Sequence, residues 1–384
     1  MLTLHAGFRA WRAPEYALLV GAACFSLYYC VLRPVVKYEH VMAPKVCRSR
    51  ARDVAAAAAA NMDGDTQTLP YPPDAFPGAR HVETAYGGIQ VFEWGPEDGE
   101  KVLLLHGLGT PCVALGDMAR HLVGKGYRVM LFDLIYDDRL YTTQILLVLA
   151  SSPLPWTGPA AFHILGYSLG GALVASFAAH HANLLHSATL VCPGGLVRPS
   201  HVSFKSRLLY SEAILPTWIR HLIARRQLEP KKGAPSADIP DPAADEDFDR
   251  VLIRNDNPLG PRVGDVVRWQ LRSNPGFVHA YMSSIRNSPI YGQHEGALWT
   301  RLRDQLALRR TAEGTPGLAS GRICLIVAER DPIVIAKEWT EDSVAVLGKD
   351  GVDIHVLPGG HEIAISKGAE VAEVAISTWQ TPPR

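Results

Sequence analysis

Three residues in this 384-residue chain have the types and surroundings for nucleophilic acyl chemistry. Ser168 stands in Gly166-Tyr167-Ser168-Leu169-Gly170, between the apolar run "FHIL" and a small-residue stretch that begins at Ala172. A turn that sharp crowds backbone against backbone, and glycines at 166 and 170 relieve the crowding. The serine is then lifted clear on a strained bend, the arrangement of a nucleophile elbow. A serine hydroxyl is a poor nucleophile until a base takes its proton, and the base needs a carboxylate to fix its tautomer. Asp331 ends the apolar run "RICLIVAERD", and His361 follows "VDIHVLPGG" on a Gly-Gly turn. Both follow the serine in the order acid, then histidine. Asp331 could equally cap the turn that Pro332 opens.

Other residues compete for these roles. Glu329 is the rival acid, but it sits closer to its strand. The alternative acid position, in "VCPGG", holds no carboxylate. His355 alternates within a strand, and His163 precedes the elbow inside one, as a core residue would. His180, His181 and His186 belong to a helix and its exit. An oxyanion needs backbone donors fixed in advance. The N–H of Leu169, just after the serine, is one. The other is expected from the loop His106-Gly107-Leu108-Gly109, at Leu108, with His106 bracing that loop.

Such residues must be positioned by a scaffold, and the chain supplies one. "ETAYGGIQVFEWG" alternates around Gly87-Gly88 as a hairpin does. "KVLLLHG", "YRVMLFD", "FHILGYS", "SATLVCPGG", "RICLIVAERD" and "VDIHVLPGGH" follow as short apolar strands. Helical stretches are predicted over 117–125, 172–185, 338–347 and 369–380. Continuous apolar strands alternating with helices imply an α/β fold with a mostly parallel sheet covered on both faces. In such sheets ligands bind at the carboxyl ends of the strands, where all three residues lie. The α/β core is expected over 80–194 and 321–384, and residues 195–320, where the alternation breaks in a stretch rich in Arg, Pro, Ser and Trp, read as an insertion between two late strands.

Before the core, residues 16–32, "YALLVGAACFSLYYCVL", carry no charge. A single-pass transmembrane anchor within 1–45 is favoured over a signal peptide or a buried core helix. Basic residues after the run outnumber those before it, which puts the following domain in the cytosol. Residues 46–79, with "AAAAAA" and a Pro-, Asp- and Gly-rich tail, read as a linker. Zero net charge leaves no basic footprint for nucleic acid. The six cysteines lack zinc-site or disulfide-framework spacing.

Together "LLLHGLG", "GYSLGG", "ERDPIV" and "PGGHE" resemble the α/β-hydrolase fold-1 family, the branch of serine esterases and monoacylglycerol-lipase-like enzymes with a helical cap. The resemblance spans roughly residues 80–380, and it implies that the insertion over 195–320 is a helical cap. It implies Ser168, Asp331 and His361 as catalytic triad, Leu108 and Leu169 as oxyanion donors, no metal and no organic cofactor. The expected activity is hydrolysis of a carboxylic ester, with a small-molecule or lipid ester as substrate. An acyltransferase or thioesterase would use the same triad, and a catalytically inactive binding protein would keep the fold. The chain departs from the family after Asp133. Members usually carry a Gly-rich D-x-x-G-x-G-x-S segment there, whereas this sequence reads "LIYDDRL" before the helix "YTTQILLVLA". Either a short segment has been lost, or one pocket wall is shorter and the mouth wider.

Overall fold

The computed structural model describes Gly21, Phe25 and residues 70–137, 140–159, 161–211, 215–229, 251–254, 256–274, 276–311 and 314–380. Met1–Cys47 and Arg48–Arg384 cluster as separate units. The expected anchor, 1–45, lies outside the described residues except for Gly21 and Phe25, both helical and exposed. Among the described residues no helix is long and apolar enough to cross a membrane.

Eight strands form one sheet in the order β1-β2-β4-β3-β5-β6-β7-β8. They are β1 (Arg80–Thr84), β2 (Gly87–Trp94), β3 (Lys101–Leu105), β4 (Arg128–Phe132), β5 (Phe162–Tyr167), β6 (Leu185–Val191), β7 (Ile323–Ala328) and β8 (Val352–Leu357). Gly87 faces Thr84 at the tip of the antiparallel β1–β2 hairpin, and β2 also runs antiparallel to β4. From β4 through β8 every pairing is parallel. The side chains of β5 and β7 are buried on both faces, which is why these strands read as unbroken apolar runs. A buried carboxylate, Glu93, pins the hairpin to its surroundings. It accepts from Arg80 at 2.7 Å, Ser152 at 2.9 Å and the Trp156 indole at 3.1 Å.

Helices run in chain order as α1 (Gly116–Gly124), α2 (Tyr141–Ala150), α3 (Leu169–His181), α4 (Phe204–Tyr210), α5 (Thr217–Leu228), α6 (Val263–Ser273), α7 (Phe277–Asn287), α8 (Ala297–Thr311), α9 (Ala336–Leu347), α10 (Ile363–Ser366) and α11 (Gly368–Trp379). One layer packs α1 against α11, and the other runs α2, α3, α8, α9. Helix α3 starts at Leu169, earlier than the expected Ala172, because Ser168 itself stands at its N-cap. The glycines at 170 and 171 fall in the first turn, where they cost little.

Two boundaries differ from the sequence reading. Residues 70–79, read as linker, send Tyr71, Ala75 and Phe76 into the main core. Phe76 stacks edge-on against Phe92 at 5.3 Å. The Pro- and Asp-rich composition masks these aromatic anchors. At the other end, helix α8 lies in the stretch read as cap, yet it packs on α3 and α9 and buries Trp299, Leu302 and Leu306 in the main core. It is the crossover between β6 and β7. Its arginines hid the inward face at positions i, i+3 and i+7. The cap proper is therefore α4 to α7. It has its own small apolar cluster, with Ala224, Val267, Leu271, Phe277, Val278 and Met282. Its two ends are tied together by Gly195 N–H donating to the Ile290 carbonyl and Gly292 N–H to that of Val197.

Candidate active site

Ser168 is built by the turn between β5 and α3. Its backbone sits at φ 55° and ψ −115°, a region that a side chain enters only under strain. The turn is held in place: Ser168 N–H donates to the Val191 carbonyl at 2.9 Å, and Gly194 N–H donates to the Ser168 carbonyl at 2.9 Å. Both glycines of the elbow are sterically required. A Cβ on Gly166 would run into the Gly170 carbonyl, and one on Gly170 into the Leu105 carbonyl.

The structure brings the three expected side chains together. Ser168 Oγ lies 3.0 Å from His361 Nε2, and His361 Nδ1 lies 2.7 Å from Asp331 Oδ2. A carboxylate accepts only, so Nδ1 carries the ring proton and Nε2 takes the serine O–H. Asp331 and His361 are buried. Their loops, which follow β7 and β8, are joined by Arg330 N–H donating to the Gly359 carbonyl at 2.9 Å. Asp331 also performs the capping role weighed for it. Its Oδ1 accepts from Ile333 and Val334 N–H, each at 2.8 Å, which fixes the carboxylate in one orientation. Glu329, the rival acid, is exposed.

The histidines weighed as rivals lie elsewhere. His163 is buried between His186 and Trp379, with ring centroids at 4.5 Å and 4.1 Å, and burial pushes its pKa down to about 3. His355 sits half-buried on β8 beside Asp353. His180 and His186 are exposed, and His181 is half-buried.

The loop after β3 carries Leu108, and its clamps come from the short connection after β4. His106 Nε2 accepts the Leu134 N–H at 2.9 Å, so Nδ1 carries the proton and donates to the Gly107 carbonyl at 2.8 Å. Burial lowers the His106 pKa, which keeps the ring neutral. Tyr136 adds a second brace. Its hydroxyl donates to the Gly107 carbonyl and accepts the Gly109 N–H, both at 3.2 Å, with the Leu108 amide between the two. Burial raises the phenol pKa far above its usual value, so the hydroxyl stays protonated. Asp133 accepts the Cys112 N–H at 2.8 Å. Gln144 brackets Ile135, accepting its N–H at 2.8 Å and donating to its carbonyl at 3.0 Å. Residues 138 and 139 lie outside the described residues. In the described part, the connection in which the Gly-rich segment is missing is bonded into place. Helix α3 begins with Leu169, whose N–H is one of the four at a helix start that lack a partner within the helix.

A cavity of about 650 Å³ opens over Ser168 and His361. Leu108, Tyr167 and Leu169 contribute to its floor, and the cap contributes Tyr210, Tyr281 and Ile285. Arg207 and Arg286 bring positive charge to the same wall. Two site residues escaped the sequence reading. One is Tyr136, whose lone position in "LIYDDRL" gives no signal. The other is Cys192, buried at positive φ in "VCPGG", whose thiol hydrogen-bonds Asp331. Cys192, Asp331 and His361 present ligand atoms within 4.8 Å of one another. Burial and the neighbouring Asp331 raise the thiol pKa well above its usual value. A protonated thiol is a poor metal ligand, and the two other side chains already bond each other.

An alpha/beta hydrolase family model matches residues 102–374. No curated protein matches the sequence. Among solved structures, a haloalkane dehalogenase from Bradyrhizobium elkani is similar at 12% identity and TM-score 0.54, over 78% of this chain and 97% of its own. A membrane phospholipase A described as a bacterial virulence factor matches at 15% identity and TM-score 0.52, over 96% and 98% of the two chains. An enol-lactonase from Burkholderia xenovorans matches at 15% identity and TM-score 0.50, over 79% and 100%. At these identities the likeness is one of fold.

Proposed function

The chain belongs to the alpha/beta hydrolase family, and from that membership we propose that it is a serine hydrolase cleaving a carboxylic ester. The observation that carries the reading is the hydrogen-bonded series Ser168–His361–Asp331, at 3.0 and 2.7 Å, facing a cavity. Ser168 Oγ attacks the ester carbonyl while His361 Nε2 takes its proton. Asp331 holds the ring in the Nδ1–H tautomer and stabilises the imidazolium that forms. The N–H groups of Leu108 and Leu169 receive the developing oxyanion, whose charge they stabilise more strongly than they do the neutral carbonyl. His361 then delivers the proton to the leaving alcohol. Water, deprotonated by the same ring, hydrolyses the acyl-enzyme and regenerates Ser168.

A lipophilic acyl group suits the cavity, because Val197, Val202, Ile285, Ile290 and Ile333 line it. The uncharged run at 16–32 supports a single-pass anchor with the hydrolase unit in the cytosol, and the excess of basic residues behind it sets that orientation. Full-length protein that stays with membranes through carbonate washing would agree, and release into the wash would rule out a span.

The test of the chemistry is Ser168→Ala. Turnover of a p-nitrophenyl ester should fall by roughly 10⁴-fold or more, with the melting curve unchanged. Turnover equal to that of the parent protein would place the nucleophile elsewhere.

A further inference from the structure

Three large apolar side chains on helices α4 and α5 of the cap face water. Phe204 on α4 is 79% exposed, and Trp218 and Leu222 on α5 are 69% and 49% exposed. Helices α4 and α5 pack on each other, and α5 turns Arg220 and Ala224 inward. Trp218 and Leu222 are four residues apart and share the opposite, outward face. Large aromatic and aliphatic side chains gathered in this way mark an interaction site.

Charge selects the partner. From His201 to Leu228 the chain carries Lys205, Arg207, Arg220, Arg225 and Arg226, against the single acid Glu212. Lys205, Arg225 and Arg226 are exposed beside the apolar side chains. Exposed Trp, Phe and Leu among Lys and Arg is the composition that settles into the headgroup boundary of an anionic bilayer. There the apolar parts enter the acyl region and the cations stay with the phosphates. The same helix α4 also walls the cavity over Ser168, through Ser206, Arg207 and Tyr210.

We infer that the outer face of α4 and α5 docks on an anionic phospholipid surface through Phe204, Trp218 and Leu222, with Lys205, Arg225 and Arg226 against the headgroups. The cavity wall formed by α4 is thereby held at the lipid boundary. That this feeds substrate to Ser168 rests on the hydrolase reading, but the docking itself does not.

The experiment uses the full chain with vesicles of phosphatidylcholine alone or mixed with phosphatidylserine, both carrying acyl-brominated lipid. Bromine quenches indoles that enter the acyl region. On anionic vesicles the parent protein should be quenched more than Trp218→Phe, and the difference is the Trp218 share. Any contribution from the N-terminal segment is common to both proteins and cancels. The share should vanish on neutral vesicles and in the Arg225→Glu/Arg226→Glu variant, and should shrink as salt is raised. Equal quenching of parent and Trp218→Phe on anionic vesicles would overturn the inference. So would lipid-free, concentration-dependent self-association that Phe204→Glu/Trp218→Glu abolishes, because that would assign the face to a second copy of the chain. No substrate enters the quenching measurement, so a loss of ester turnover and a loss of docking are read separately.

Discussion

The rim of the sheet and the cap face each other across one cavity, and they are built on different terms. At the rim, position comes from hydrogen bonds to backbone amides and carbonyls. Ser168 is held by its own amide and carbonyl bonded to Val191 and Gly194, Leu108 sits between carbonyl and amide groups clamped by His106 and Tyr136, and Asp331 is fixed by two N–H groups of its own turn. In the cap, beyond the backbone bonds that tie its two ends together, position comes from side chains. A small apolar cluster holds its helices together. Its anchorage to the core includes an ion pair from Arg198 to Asp342 at 2.8 Å and a hydrogen bond between His294 Nε2 and Asp342 at 2.9 Å. Backbone clamps tolerate few substitutions and fix geometry to a fraction of an ångström, as bond-making requires. Side-chain packing can be revised without disturbing them. The difference fits the proposed reading, in which reaction chemistry belongs to the rim, and substrate choice and surface attachment to the cap.

Substitutions that separate the two regions sharpen this contrast. The largest effect is expected at Asp331. Asp331→Asn should lower kcat by on the order of 10⁴-fold by favouring the wrong imidazole tautomer, whichever ester is offered. Glu329→Gln, on an exposed side chain, should leave kcat near the parent value. The reverse ranking in steady-state kinetics would move the acid. Next is Gly170→Ala, which drives a methyl into the Leu105 carbonyl. Overpacking of this kind costs about 1–3 kcal/mol, read as a lower melting temperature. An elbow displaced by an ångström costs roughly 100-fold in turnover.

Tyr136→Phe is a milder test. It removes one hydroxyl that holds both the Gly107 carbonyl and the Gly109 amide. At about 1–1.5 kcal/mol for the hydrogen bonds lost, kcat should fall roughly tenfold while KM changes little. An unchanged kcat would show that His106 alone suffices to hold the loop. The smallest effect is expected from Arg198→Ala in the cap anchorage, because this half-buried ion pair is still partly screened by water and salt. It should alter the relative rates on short and long acyl esters more than the rate on either one. A uniform loss of kcat across esters would break the division between rim and cap.

Much of the rim was legible in the sequence because the three residues of the hydrogen-bonded series each carry a local signal. An apolar run, a Gly pair and a polar residue at a strand end placed Ser168, Asp331 and His361, and the fold brings them within hydrogen-bonding distance. What escaped had no local signal. Tyr136 acts across a gap of 27 residues on Gly109, and Cys192 meets Asp331 only because β6 and β7 are neighbours. Helix α8 falls in a stretch rich in Arg, Pro, Ser and Trp where the strand–helix alternation breaks, and only its packing on α3 and α9 decides where it belongs. Residues 70–79 were read as linker for a related reason: a few aromatic anchors sit in a composition that otherwise favours solvent.

The central claim is that the hydroxyl of Ser168 is activated by its contact with His361. The most direct measurement is reaction of the folded chain with a fluorophosphonate, followed by peptide mass spectrometry to locate the adduct. A single adduct on Ser168, lost in the His361→Ala variant, is the expected result. An adduct on another residue, or a folded chain that takes up no probe, would contradict the account.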